Sequence, residues 1–420
     1  MKVFKFGGAS VNSASAVRNM ASIVIRHQEQ SRLVVVVSAM GKTTNALEQM
    51  IPGVRPLDER LGLLSNLKQY HFDIINELFP DKNAKVYSRI ESLFDLLEKQ
   101  ISIEPTTYNF DYDQTVSFGE LISTSVISEY LNHIGINNTW IDVRSIITTD
   151  TNYREGHVDW TISRKLAVEK IEDPRNQNII ITQGFIAGTP QKTTTTLGRE
   201  GSDYSASILS YCLKASEMTI WKDVPGFLNA DPKYFKNTIK INEIPYNEAI
   251  ELAYYGASVI HPKTVKPLQN SNIKLQIKSF LTPDEEGSVI GPFLTIQPQT
   301  PLYIFKNNQI LLSIIPKDFS FIAEDNLQTI FATLAELNIK VNMMQNSALS
   351  FSICIDHNTI YLEEIQKRLS SQFKLKYNDN LQLITIRYYT HQIIKDIVGN
   401  RNILLEQKSR NTTQLIVEKE

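Results

Sequence analysis

The stretch LVVVVSAMGKTTNAL, residues 33–47, decides between two α/β architectures. Its apolar run, Leu33 followed by four valines, reads as a strand buried on both faces. Gly41-Lys42-Thr43 and a helix-forming segment come next, the outline of a phosphate-binding P-loop. That loop needs a glycine about five residues before its Gly-Lys pair. Counting back from Gly41, Val36 holds the place. Without a glycine there, successive backbone N–H groups cannot wrap a phosphate. The stretch is therefore read as a buried strand and a tight turn, with Lys42 in solvent.

Around it, short apolar strands alternate with amphipathic helices. KVFKF is a strand, and SAVRNMASIVIRHQ is a helix with Val17, Met20, Ala21 and Val24 on one face. Residues 57–101 read as helices. NIIITQGF and MTIWKDV are strands, and SDYSASILSYCL between them is a helix capped by Ser202 or Asp203. This alternation predicts a mostly parallel sheet sandwiched by helices. The Pro-, Gly- and Thr-rich TPDEEGSVIGPFLTIQPQTP ends the pattern and places a domain boundary there.

The C-terminal remainder is α+β. QILLSIIP, KVNMM and LSFSICID are strands, and YLEEIQKRL is a helix. NLQTIFATLAEL is a helix with Leu327, Ile330, Phe331, Leu334 and Leu337 on one face. That is a βαββα run of ferredoxin-like type. A second set comprises LQLITIRYY, HQIIKDIVG, NILLEQ and TQLIVE.

The 420 residues carry a formal net charge of −2 and are 42% hydrophobic, an ordinary globular composition. The balanced charge gives no footprint for nucleic acid or an anionic membrane. Cys212 and Cys354 have no ligand-spaced partners, so both are expected to be buried small hydrophobes. No apolar run has signal-peptide or membrane-spanning length, which places the chain by default in the cytoplasm.

Three further stretches bear chemistry. KFGGAS, residues 5–10, runs a strand into two glycines, where a phosphate can approach the backbone at a helix start and Lys5 can reach it. VSFGELIST, residues 116–124, sets Glu120 at the start of a helix. TTTTLGREGSDYSAS, residues 193–207, offers Arg199 for a carboxylate and Asp203 for Mg²⁺ beside a nucleotide. Taken singly, each also fits a plain role: a turn, a helix-start acid matching the dipole, a polar loop with a capping Asp.

In this order and spacing, these stretches resemble the aspartate kinase family of the amino-acid-kinase fold. TQGFIAG, WKDVPGFLNADPK and YYGASVIHP follow in the family's order, and Gly-Arg-x-Gly-Ser-Asp-Tyr is its most specific element. The resemblance spans residues 2 to about 290. It continues more weakly into tandem ACT-type regulatory modules. It implies a catalytic domain over 1–291 and a regulatory region over 300–420. The first module would take about 309–376. The second would take about 301–308, which includes PLYIFK, plus 380–420. Such modules typically pair across a two-fold axis, so a homodimer is expected. No fused dinucleotide-binding domain is expected before the end at Glu420.

The implied reaction is MgATP plus L-aspartate giving 4-phospho-L-aspartate and ADP, the entry to lysine, threonine and methionine synthesis. The resemblance gives Lys5 the place between the reacting anions and Phe6, Gly7 and Gly8 the transferring phosphate. Asp203 would organise Mg²⁺, itself held mainly by ATP phosphates. Lys222, Asp223, Leu228, Lys233, Ser258 and Val259 would line the nucleotide. Thr44, Glu120, Arg199, Gly201 and Ser202 would hold aspartate, with Arg199 on its α-carboxylate and Glu120 on its α-ammonium. Asn342, Ser347 and Ala348 are the regulatory-pocket candidates. Asn342 and Ala348 stand where lysine-sensitive relatives typically carry acids, so weak or absent lysine inhibition is expected. Other departures are Ala9 for Thr, Ser258 for Lys, Lys222 for Thr and Lys233 for Arg. A glutamate or N-acetylglutamate kinase of the same fold, or an inactive amino-acid-sensing subunit, are the alternatives.

Overall fold

The computed structural model describes residues 1–28, 31–257, 259–318 and 320–419. They divide into two compact units. The first comprises Met1–Phe227, Lys240–Ala253 and Ser258–Pro298; the second comprises Leu228–Ile239, Tyr254–Ala257 and Gln299–Glu420.

The first unit is built on an eight-stranded sheet. Its order is Glu243–Pro245, Ser288–Gly291, Lys274–Ser279, Glu217–Lys222, Lys2–Phe6, Leu33–Val37, Ile179–Gln183 and Asn138–Trp140. Only the pairing of Lys274–Ser279 with Ser288–Gly291 is antiparallel. The strand Leu33–Val37 is fully buried, as its uninterrupted apolar run requires. Leu33, Val35 and Val37 join one core with Val17, Met20 and Val24 of helix Ala14–His27 and with helices Leu57–Leu78, Lys85–Ile101 and Phe118–His133. Val34 and Val36 point to the opposite face by strand alternation. Ser13 caps helix Ala14–His27 through its hydroxyl, which accepts from Ala16 N.

Register sets the site. Phe6 lies opposite Val37 and Trp221, and Val37 opposite Gln183. The carboxyl ends of four central strands are thus level, and the loops that leave them converge. In open α/β sheets that edge is where ligands bind.

The second unit is an antiparallel six-stranded sheet in the order Val341–Asn346, Phe351–Asp356, Leu302–Pro316, Phe373–Arg387, Thr412–Glu418, Ile403–Lys408. PLYIFK and QILLSIIP are one continuous strand, Leu302–Pro316, paired along its length with Phe373–Arg387 and broken only by irregularities between Lys306 and Leu311. Helices Glu324–Glu336, Thr359–Leu369 and His391–Val398 complete the unit. Ile330 and Leu334 are buried, but Phe331, expected on the same face, is 40% exposed. It lies one residue beyond Ile330, at the rim of the stripe, and contacts Phe351 edge-on. Cys212 and Cys354 are buried and free, and burial pushes both thiols up to about 12. No helix among the described residues is long and apolar enough to cross a membrane.

Candidate active site

Lys5 sits on the strand Lys2–Phe6, and its residue surface is only 9% exposed. Its ammonium lies 2.5 Å from Asp203 Oδ1. Gly7 and Gly8 follow, opening the short turn Gly8–Val11. A Cβ on Gly8 would meet the Ala39 carbonyl at 2.8 Å and the Gly41 carbonyl at 2.9 Å, so only glycine lets the two loops touch. Gly41 N donates back to Gly8 O at 3.0 Å. Gly41 has φ of +55°, and Lys42 is exposed. The Gly-Lys pair in LVVVVSAMGKTTNAL is therefore a turn that braces the Gly7-Gly8 loop. Phe6 itself points its ring into the core, stacked on Trp221 at 6.0 Å, and its carbonyl accepts from Ser38 N.

Asp203 belongs to helix Gly201–Cys212. Neither Ser202 nor Asp203 caps it. Glu200 is the N-cap residue, in the left-handed region at φ 53°, with no side-chain cap bond. The sequence expectation fails because Asp203 is turned inward to the lysines. Lys222 Nζ stands 3.6 Å from its Oδ2. Burial alone would push the Asp203 carboxyl up, but Lys5 and Lys222 outweigh it and hold it below the ordinary carboxylate range. Ser202, also buried, packs on Gly184, where a Cβ would come within 2.5 Å of the Ser202 Cβ.

Glu120, in the first turn of helix Phe118–His133, is 2% exposed. Its Oε1 accepts from Ala39 N at 3.1 Å; Oε2 is buried with no hydrogen-bond partner. Burial pushes this carboxyl up to about 8, against the pull of the Ala39 and its own backbone N–H groups and of Lys5. A buried, half-satisfied carboxylate fits a ligand cation. Thr44 is half-buried in the short helix Thr43–Glu48.

Arg199 is exposed, and its guanidinium makes no hydrogen bond or ion pair among the described residues, as a side chain awaiting an anion would. The strand before it, Thr194–Thr196, is held by a residue that sequence reasoning misses. Asp113 is fully buried and accepts from Arg154 N at 2.8 Å, Thr196 N at 3.0 Å and Thr196 Oγ1 at 2.7 Å. Nothing local marks it, because an Asp inside a helix reads as a solvated residue.

Of the nucleotide candidates, Val259 is half-buried and its carbonyl accepts from Lys222 Nζ at 2.5 Å. Asp223 is exposed. Ser258 lies outside the described residues. Leu228 and Lys233 belong to the second unit. Lys5, Gly7, Gly8, Glu120, Asp203 and Lys222 are the residues the fold brings together at the strand ends. Asp203, with the buried and unpartnered Oε2 of Glu200, is an all-oxygen donor set of the type that Mg²⁺ takes beside phosphates.

The regulatory candidates lie in the second unit. Asn342 Oδ1 accepts from Lys306 Nζ at 2.9 Å, and Asn342 Nδ2 donates to Gln309 Oε1 and to Asp356 Oδ1. Ser347 is bonded to Ser350, and Ala348 is exposed, its carbonyl accepting from Ile322 N.

A family model described as the amino acid kinase family matches residues 1–279. The lysine-sensitive aspartokinase 3 of Escherichia coli is 30% identical over 396 residues, covering 91% of this chain and 86% of that one. A crystal structure of E. coli aspartokinase III in complex with aspartate and ADP, in the R-state, superposes with a TM-score of 0.84 at 27% identity, over 100% of this chain and 96% of that one. Its T-state, in complex with lysine and aspartate, superposes with a TM-score of 0.83, also at 27% identity and over the same shares of the two chains.

Proposed function

Since the chain belongs to the amino acid kinase family and is an aspartate kinase, we propose that the cluster around Asp203 and Glu120 transfers the γ-phosphoryl group of ATP to the side-chain carboxylate of L-aspartate. The observation that carries the residue assignment is the Lys5–Asp203 pair at 2.5 Å, set where the Gly7-Gly8 loop leaves the sheet.

Phosphoryl transfer is mostly positioning and charge neutralisation. The attacking carboxylate is already ionised at neutral pH, so no general base is required. Lys5 neutralises charge between the two anions, oriented by Asp203. Backbone N–H groups at Gly7 and Gly8 are available to the phosphate. Glu120 takes the α-ammonium and Arg199 the α-carboxylate, with Thr44, Gly201 and Ser202 around them. Mg²⁺, bound mainly through ATP phosphates with Asp203 beside it, would supply further charge neutralisation. Lys222 and Asp223, with Val259, are assigned to the nucleotide.

We assign 1–291 to catalysis and 300–420 to regulation by two interleaved modules. The break at Pro298 supports the start of the regulatory region, although Leu228–Ile239 and Tyr254–Ala257 group with the second unit. The exposed edge strand Val341–Asn346, with Met344 48% exposed, supports pairing of the second unit in a homodimer. Phosphorylated aspartate would feed amino-acid biosynthesis.

A coupled ADP-release assay with aspartate against glutamate and N-acetylglutamate tests the reading. Turnover with aspartate alone is expected. Turnover with either rival and not aspartate would overturn it, and binding of aspartate without ADP release would mark a sensing subunit instead.

A further inference from the structure

One carboxylate in the site carries two ammonium groups. Lys5 Nζ is on Asp203 Oδ1 at 2.5 Å, and Lys222 Nζ faces Oδ2 at 3.6 Å. Lys222 is not a surface lysine that happens to lean inward. Its side chain is 21% exposed, and its ammonium also donates to the Val259 carbonyl at 2.5 Å. An ammonium has three N–H donors. The Val259 carbonyl and the Asp203 carboxylate account for two. The third has no partner among the described residues. The strand Glu217–Lys222 lies beside Lys2–Phe6 in parallel register, with Trp221 opposite Phe6, so Lys222 emerges at the same edge as the Gly7-Gly8 loop.

Charge points the same way. Lys5 and Lys222 share the one carboxylate of Asp203, so neither ammonium is fully matched by it and both can meet an anion that enters the cleft. Glu200 is the neighbouring acid, half-buried, with Oε2 unpartnered.

We propose that Lys222 is a second phosphate-binding cation of this kinase site, aimed by Asp203 and the Val259 carbonyl so that its remaining N–H meets a nucleotide phosphate oxygen opposite Lys5. The proposal rests on the reading of the site as a kinase centre. It deepens that reading by giving the polyphosphate two tethered cations that share one carboxylate anchor. A purely structural role, tying the segment at Val259 to helix Gly201–Cys212, is the competitor.

The test is calorimetric binding of a non-hydrolysable ATP analogue and of adenosine to the full chain, with and without Mg²⁺, for wild type, Lys222→Met and Lys222→Arg. Lys222→Met should weaken the analogue about ten- to a hundredfold, the range for one charge-assisted hydrogen bond. It should leave adenosine unchanged, and Lys222→Arg should recover most of the loss. The deficit should be larger without Mg²⁺, when lysines carry more of the phosphate charge. Equal weakening of adenosine and analogue, or unchanged analogue binding by Lys222→Met, would overturn the proposal in favour of the structural role. Wild-type protein that binds adenosine but shows no preference for the analogue would overturn the kinase reading itself.

Discussion

Glu120 carries the sharpest pH expectation at the residue scale. Its carboxyl, pushed up to about 8 by burial, holds a proton through most of the neutral range. The α-ammonium of aspartate favours the ionised form, so binding expels that proton. The proton therefore competes with substrate below pH 8, and kcat/KM for aspartate should rise with pH, up to about tenfold per unit, levelling near 8. Glu120→Gln should be slow and flat over the same range. A wild-type profile flat from pH 6 to 8 would remove Glu120 from the ammonium site. Lys5 makes a different demand. If it neutralises charge between the reacting anions, Lys5→Ala should cost about 3–4 kcal/mol of transition-state stabilisation, seen in kcat more than in the KM for aspartate. Near-normal kcat in that variant would exclude it from the mechanism. Both residues were legible in the sequence because they stand in glycine-flanked motifs, Lys5 near the end of a strand and Glu120 in the first turn of a helix. Their electrostatics were not, since the burial of Glu120 comes from the fold and the groups that oppose its effect, Ala39 N–H and Lys5, are distant in sequence.

At the scale of elements, Asp113 in helix Tyr108–Val116 fixes the strand Thr194–Thr196, which leads three residues on to Arg199. Asp113→Ala strands two backbone N–H groups, a cost of about 1–3 kcal/mol each when buried. Asp113 is a positioning residue, so its loss should raise the KM for aspartate and lower the melting temperature while kcat falls less. Unchanged aspartate KM in a destabilised variant would make it a fold residue only. In the second unit, the strands Leu302–Pro316 and Val341–Asn346 bear on an expectation about effectors. Asn342 already accepts from the chain's own Lys306 and donates to Gln309 and Asp356. A ligand ammonium would have to displace Lys306 and find no acid at Ala348. Inhibition by lysine at sub-millimolar concentration is not expected; steady-state assays across lysine concentration check it, and potent inhibition would show that the ammonium is met elsewhere. Strand and helix periodicity foretold the central strands and many of the helices, but not the sheet-edge strands Asn138–Trp140, Lys274–Ser279 and Ser288–Gly291 or the helices Trp160–Ile171, Tyr246–Tyr255 and Pro262–Asn270. What periodicity could not give was joining: PLYIFK and QILLSIIP read as separate strands because Asn307 and Asn308 interrupt the apolar pattern, yet the partner strand Phe373–Arg387 runs past both.

The whole molecule has separate cores. One gathers Phe4, Val35, Ile75, Phe94 and Ile127 in the first unit. Others lie in the second unit, one around Ile310, Leu312, Ile314 and Ile353 and one around Ile384 and Leu415. Chains with separate cores commonly unfold in more than one step, so calorimetry should resolve two transitions. Glu120, Arg199 and Thr44 all belong to the first unit. Aspartate at about a hundred times its Kd should therefore add about 2.7 kcal/mol to that transition and leave the other in place. Ile353→Ala, in the second unit's core, should cost the second transition about 2–5 kcal/mol. The segment Leu228–Ile239 makes the division testable against sequence order. It precedes the Pro- and Gly-rich boundary that the sequence places after residue 280, yet it is part of the second unit. Long-range contacts put it there, which no local pattern could announce. Tyr234 stacks on Phe305 and Phe235 packs on Tyr303, each pair with ring centroids 4.9 Å apart. Tyr303 N donates to Asn229 O at 2.8 Å, and Asn307 donates to the Tyr234 hydroxyl at 2.6 Å. An aromatic pair contributes about 0.5–1.5 kcal/mol beyond its area burial. Phe235→Ala should therefore lower the transition that Ile353→Ala lowers, and spare the one that aspartate raises. If Phe235→Ala instead moves the aspartate-sensitive transition, the segment folds with the catalytic core and the division follows sequence order after all.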